Sequence, residues 1–274
     1  MGKKAAIVTP VYRLPLEEDE KLCLDSIAKH LRAYDHVLVV PLRLLHDVQR
    51  IAQGKQVIPF DNESFANISG YNNLLLSADF YERFEKYEYI LIAQLDSLVL
   101  SDQLGMWCEK GWDYIGAPWM RNYGYQETSE FLAVGNGGFS LRNVSSALEV
   151  LYSKVDSEIW NLPNRDKKLW GRKSPKRFLP TNIAKTIFKK HCIHEFLKLH
   201  YRGNEDVFWG KYASLVKSDY IIPGPMEALQ FAFEKDPAES LKLNDGKLPF
   251  GCHAWARYDR SFWETHLRLD EFAS

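Results

Sequence analysis

The sequence is poor in the features that mark specialised chain classes. Its four cysteines (Cys23, Cys108, Cys192, Cys252) stand far apart, with no CxxC pair and no zinc-type spacing. That excludes a zinc ribbon, a CxxC redox centre and a disulfide scaffold, and it reads as reduced, mostly buried thiols in a cytoplasmic protein. No run stays apolar for the roughly 20 residues that cross a bilayer. The net charge is only −1, so the molecule as a whole is no nucleic-acid binder. No GxxxxGK[ST] occurs, which removes the P-loop class. Gly135-Asn136-Gly137-Gly138 fails GxGxxG because position 140 is Ser, so a Rossmann dinucleotide site is not expected. Met1-Gly2-Lys3-Lys4 runs straight into the strand-like Ala5-Ala6-Ile7-Val8, which leaves no room for a signal peptide. Ala6 also stands where an N-myristoylation signal wants Ser or Thr. Internal repeats and low-complexity linkers are lacking too.

What is present is an ordinary core-forming composition. The chain is 46% hydrophobic and 26% charged over 274 residues, which suits one large α/β domain or two small ones. The aromatic fraction, 14%, most commonly means a thick core; stacking platforms for sugars or bases are the second use.

The apolar run Ile90-Leu91-Ile92-Ala93-Gln94-Leu95-Asp96-Ser97-Leu98-Val99-Leu100 organises the rest. Apolar residues on both parities predict a strand buried on both faces, as in a parallel sheet. A carboxylate inside such a run is costly unless paired or metal-bound. Asp96 either opens a plain turn or sits at the carboxyl end of a central strand, where open α/β sheets bind ligands; the second reading is favoured. Around it, strands are expected at 5–8, 36–40 and 56–59 and helices after residue 20, over 44–53 and over 71–84. This βα alternation predicts a parallel, doubly wound sheet. Further on, the glycine-rich 135–138 stretch leads into a strand, 144–155 is helical, and 220–222 is strand-like.

Asn204-Glu205-Asp206 has the form of a helix start, with Asn204 as N-cap and two acids in the first turn, where the helix dipole favours ionised carboxylates. Structure alone accounts for acids there. A functional reading makes one of them a general base for a bound hydroxyl, although a dipole-lowered pKa would weaken it. His253, between Cys252 and Ala254, is more often a core histidine than a ligand, and spacing does not decide it. From 164 to 190 the chain is strongly basic: Arg165, Lys167, Lys168, Arg172, Lys173, Lys176, Arg177, Lys185, Lys189 and Lys190 face only Asp166. A solvated face is the ordinary use of such a run. The interleaved Leu169-Trp170 and Phe178-Leu179 point instead to an anionic membrane surface or a diphosphate-linked lipid acceptor.

Taken in order, Thr9-Pro10-Val11-Tyr12, Gln94-Leu95-Asp96, Gly135-Asn136-Gly137-Gly138-Phe139, Asn204-Glu205-Asp206 and Gly251-Cys252-His253-Ala254-Trp255 resemble the GT-A glycosyltransferases, and more narrowly the bacterial DUF5672 family. The resemblance runs from about residue 5 to 257. It implies a GT-A-like (Rossmann-like) α/β fold: a mixed, mainly parallel sheet flanked by helices, in a single domain. Residues 5–105 would form the nucleotide-binding half and 106–274 the acceptor-side half, with a basic helical insertion over 160–200. The implied activity is transfer of a sugar from a nucleotide sugar, a UDP-sugar by preference, to a hydroxyl of a glycan or lipid-linked acceptor in polysaccharide biosynthesis.

By the same resemblance Thr9, Pro10 and Tyr12 would hold the nucleoside, with Tyr71 and Asn73 as looser donor contacts. Gln94-Leu95-Asp96 matches the DxD motif, so Gln94 and Asp96 fall at the donor and Asp96 becomes a metal ligand. Gly137 and Gly138 would border the donor sugar. Asp206, with Glu205 beside it, matches the catalytic base of an inverting enzyme, and His253 a second metal ligand. The first acid of DxD is Gln94 here. An Asp, an imidazole and diphosphate oxygens suit Mn²⁺ better than an all-oxygen Mg²⁺ site. Two other readings stay open: a catalytically silent GT-A-like protein that binds sugar or a partner, which Gln94 favours, and a nucleotidyltransferase. The second class carries a glycine- and basic-rich loop after its first strand, where this chain has Thr9-Pro10-Val11-Tyr12-Arg13. The cytoplasm, with peripheral contact at the inner membrane face through 164–190, is the location expected.

Overall fold

A computed structural model of the chain describes residues 3–120, 131–155, 159 and 192–267. The basic run 164–190, and most of the insertion expected at 160–200, lie outside the described residues.

The first half alternates strand and helix: β1 (Lys3–Pro10), α1 (Glu18–His30), β2 (Asp35–Pro41), α2 (Leu45–Ile51), β3 (Gln56–Phe60), α3 (Ile68–Leu75), α4 (Ala78–Glu82) and β4 (Tyr87–Ala93). The helix expected over 71–84 is in fact two. Ser77 breaks it by accepting a hydrogen bond from the Phe80 amide and so capping α4, the usual role of serine at a helix start. Next come β5 (Ser97–Val99), α5 (Leu104–Glu109), β6 (Tyr114–Gly116), β7 (Pro118–Met120), β8 (Phe131–Val134), β9 (Phe139–Asn143) and α6 (Val144–Tyr152). After Cys192 follow α7 (Ile193–His200) and α8, a helical run of Glu205–Val207, a π-turn Phe208–Tyr212 and Ala213–Val216. The chain then forms α9 (Pro225–Phe231), β10 (Ala232–Phe233), α10 (Pro237–Leu243), β11 (Gly251–His253) and α11 (Trp255–His266).

The central sheet has the order β3-β2-β1-β4-β9-β6. Its first three pairings are parallel; β9 is antiparallel to both β4 and β6. The expected mixed, mainly parallel sheet is therefore the observed one, and strands from both halves of the chain share it. Alternation explains the apolar runs. On β1, Ala6 and Val8 enter the core under α3, α4, α6 and α8, whereas Ala5 and Ile7 enter the core under α1 and α5. On β4, Ile90 and Ile92 face the first core and Tyr89, Leu91 and Ala93 the second. A strand covered on both sides has no polar face to show, and each aliphatic side chain so buried contributes about 1.5–3 kcal/mol.

Two local expectations are corrected. Ile90–Leu100 is not one strand: β4 ends at Ala93, residues 94–96 turn, and β5 joins a second sheet of order β10-β11-β5. The turn is held by Gln94 N bonding Gly138 O and Ser97 N bonding Gln94 O, at 2.8 and 2.9 Å. Leu98 and Leu100 thus serve a separate core with Trp255 and Trp263, while Val99 stays in the core under α1 and α5. The strand expected at 220–222 does not form either. Its backbone is taken by Asp113, whose side chain accepts from Ile221 N at 2.7 Å while Asp113 N donates to Ile221 O at 2.9 Å. All four cysteines are free. Among the described residues no helix is long and apolar enough to cross a membrane.

Candidate active site

The carboxyl end of β4 carries the candidate site. Val8 pairs with Ile92 across β1 and β4, so Pro10 and Gln94 leave the sheet at the same level. The turn after β4 exposes Asp96 while Leu95 and Ser97 stay buried. Ser97 Oγ donates to Gly138 O at 3.1 Å, which fastens this turn to the glycine loop ahead of β9.

That loop is shaped by Asn136. Its backbone is left-handed, φ 67°, and its Oδ1 accepts from Gly138 N at 3.0 Å. Glycine is needed at the next two positions for lack of room. A Cβ on Gly137 would lie 1.8 Å from Glu205 Oε1, and one on Gly138 would lie 2.1 Å from His253 Nε2. The loop therefore sits between the two later motifs and touches both. One contiguous set results: Asp96 Oδ1 is 3.3 Å from His253 Nε2, His253 packs on Gly138, and Gly137 N donates to Asp206 Oδ2 at 3.4 Å.

The two acids of α8 have separate surroundings. Glu205 is 3% exposed and forms a buried ion pair with Arg142 of β9 through two N···O contacts, at 2.8 and 2.9 Å, the second a hydrogen bond to Oε1. Arg142 also donates to Tyr81 OH and Ser140 Oγ, both at 3.0 Å. Asn204 takes an N-cap backbone conformation, but its side chain makes no capping bond; Asn72 accepts from Glu205 N instead, at 3.1 Å. Asp206 is half-buried. Burial and then the Glu205 charge push its pKa up to about 7, against the amides of Val207 and Gly137 that hold it down. The dipole-lowered carboxylate expected here is thus reversed: two N–H bonds do not offset desolvation and a neighbouring anion.

His253 lies between two acids. Nε2 faces Asp96, and Nδ1 lies 3.4 Å from Glu234 Oε1. Burial lowers the imidazole pKa, but the two carboxylates more than reverse this, to about 10. Burial likewise raises Asp96, and His253 brings it below its ordinary value.

No group of three or more His, Cys, Asp or Glu among the described residues is arranged to hold a metal. The site does offer a pair. Two ligands at right angles, each about 2.1 Å from a cation, stand about 3 Å apart, close to the Asp96–His253 separation of 3.3 Å. Both ring nitrogens of His253, Nε2 and Nδ1, are buried without an aligned hydrogen bond. The pair is spaced to supply two ligands to a divalent ion.

The donor-side expectations divide. Tyr12 is 44% exposed, and its carbonyl accepts from Arg43 at 3.1 Å. Thr9 is fully buried, and its hydroxyl shares a 2.9 Å hydrogen bond with His36; Pro10 is buried at the strand end. Tyr71 brings a buried hydroxyl beside Gln94, without an aligned hydrogen bond. Asn73 is half-buried on α3, and it is its neighbour Asn72 that reaches α8. Sequence reasoning missed Arg142 and Glu234. Each is a charge at or just past the end of a short apolar strand, the same signal that singled out Asp96.

A family model described as "Protein of unknown function (DUF5672)" matches residues 54–253. No curated protein matches the chain. Among solved structures it is similar to S. aureus TarS 1-349, at 13% identity over 52% of this chain and 48% of that one, TM-score 0.34. It is similar to the apo-form glycosyltransferase GlyE of Streptococcus pneumoniae TIGR4, at 12% identity over 98% and 62%, TM-score 0.45. It is also similar to galactosyltransferase LgtC in complex with donor and acceptor sugar analogs, at 15% identity over 98% and 95%, TM-score 0.49. The chain thus spans about half the length of the TarS chain and about three fifths of GlyE.

Proposed function

The chain belongs to the DUF5672 family, and on that premise we propose that it is a GT-A-type glycosyltransferase. It moves a sugar from a nucleotide sugar, a UDP-sugar by preference, to a hydroxyl of a glycan or lipid-linked acceptor. The observation that carries this reading is the continuity of the site, in which Asp96, His253, Gly138, Gly137 and Asp206 follow one another in contact. A pair suited to a diphosphate-bound cation and a carboxylate near neutrality thereby share one glycine loop.

In the proposed reaction Asp206 takes the proton of the acceptor hydroxyl. The acceptor oxygen forms a bond to the anomeric carbon in line with departure of the nucleoside diphosphate, so the configuration inverts. A pKa of about 7 suits a base that must be ionised and still hold a proton at neutral pH. Asp96 and His253 would hold Mn²⁺ or Mg²⁺, which when bound supplies Lewis-acid neutralisation of the leaving diphosphate. The glycine loop would border the donor sugar, and the missing Cβ at Gly137 and Gly138 leaves room for Glu205 and His253 beside it. Glu205, committed to Arg142, orients Asp206.

Transfer and donor-hydrolysis assays over a panel of nucleotide sugars with Mn²⁺ test the reading. Asp206→Asn and Asp96→Ala are each expected to lower turnover by about 10²-fold or more; wild-type turnover in both would overturn it. Gln94 favours one rival, a silent GT-A-like binder. Calorimetry with UDP, with and without Mn²⁺, separates the two, because a silent scaffold need not couple metal to diphosphate.

A further inference from the structure

One carboxylate beside the candidate metal pair takes no part in the mechanism above. β10 and β11 run parallel with Phe233 opposite Cys252, so Glu234, just past β10, comes beside His253, the last residue of β11. Glu234 Oε1 lies 3.4 Å from Nδ1, on the side of the ring away from Asp96. Their side chains are only 13% and 16% exposed, so Glu234 is not there for solvation.

The backbone shows how firmly the pair is placed. Asp236 and Ala254 adopt left-handed φ of 48° and 53°, a conformation that residues with a Cβ rarely take. Each lies just beyond one of the two side chains and turns the chain into α10 or α11. Strain of this kind persists where the surroundings over-determine it, commonly beside ligand sites. The imidazole is hemmed in from a third direction by Gly138, where a methyl group would not fit.

We propose that Glu234 is a positioning residue: it accepts the Nδ1–H of His253 and thereby directs the Nε2 lone pair at the cation that Asp96 also meets. A neutral imidazole has one N–H and one lone pair, so the partner of one nitrogen decides what the other can bind. Carboxylates on the far nitrogen of ligand histidines fix tautomer and ring orientation and raise ligand basicity. The effect counts for more in this chain, because Gln94 stands where a second acid would be and few protein ligands remain. The proposal rests on the transferase reading only for its choice of Mn²⁺ and diphosphate.

The test is titration of Mn²⁺ into the full chain, alone and with UDP, followed by calorimetry and by the Mn²⁺ electron-spin resonance signal. Glu234→Ala is expected to weaken Mn²⁺ by about 10–100-fold, the usual cost of losing such a partner. Glu234→Gln, whose amide oxygen can still accept the Nδ1–H, falls between it and wild type. Thermal unfolding and UDP binding of the metal-free Gln variant stay at wild-type values. Wild-type Mn²⁺ affinity in Glu234→Ala would overturn the proposal, as would absence of Mn²⁺ binding by the wild type or equal loss of metal-free UDP binding in both variants. If the wild type turns over no nucleotide sugar while the Mn²⁺ series holds, the transferase reading falls and the role of Glu234 stands. If turnover is present and the series fails, the reverse follows.

Discussion

Asp206 shows how a single residue's surroundings set its chemistry. Only its ionised form can take a proton, so with a pKa of about 7 the base is lost as pH falls through neutrality. kcat/KM is therefore expected to rise with pH across that range and level off above it. Glu205→Gln removes the neighbouring negative charge, the second cause of the raised pKa, so the acid limb of the profile moves to lower pH. Profiles of the two proteins with one donor and acceptor check this. A limb that does not move would show that the titrating base is not Asp206.

At the scale of elements, the loop before β9 is the joint of the site. It contacts the turn after β4, the start of α8 and the end of β11 within four residues, and only glycine fits where it is tightest. Gly138→Ala puts a Cβ 2.1 Å from His253 Nε2, closer than any real contact, so the ring or the loop must shift. Misplacement on the ångström scale can cost about 10²-fold in rate. A loss of that order in metal-stimulated turnover is expected, with the circular dichroism spectrum unchanged. Retained activity would mean that His253 does not need its present position. The three motif glycines were legible as a loop, but a tight turn and a ligand border look alike in sequence. Contact with Glu205 and His253, both far along the chain, separates them.

For the whole molecule, the Arg142–Glu205 pair ties the central sheet to α8, with Tyr81 of α4 drawn in through the Arg142 guanidinium. Removing one partner leaves a buried charge uncompensated, which costs about 3–5 kcal/mol. Arg142→Met and Glu205→Leu should each lose stability of that order in denaturant unfolding, and the double variant should recover most of it, because an apolar pair replaces both charges. Additive losses would show that the two residues act independently.

What the sequence determined by itself is local. Continuous apolar runs marked the strands, and helical spacing marked the crossovers between them. Five short motifs in order pointed to the fold family and to most of the site. These survive because side-chain period and turn chemistry depend on neighbours a few residues away. The tertiary structure alone decided which charges meet. Register between β10 and β11 sets Glu234 beside His253, and closure of β9 against β4 brings Arg142 and the glycine loop to α8 and to the turn bearing Asp96. The pKa of a buried acid follows from those encounters, since desolvation and a neighbouring charge act through space rather than along the chain.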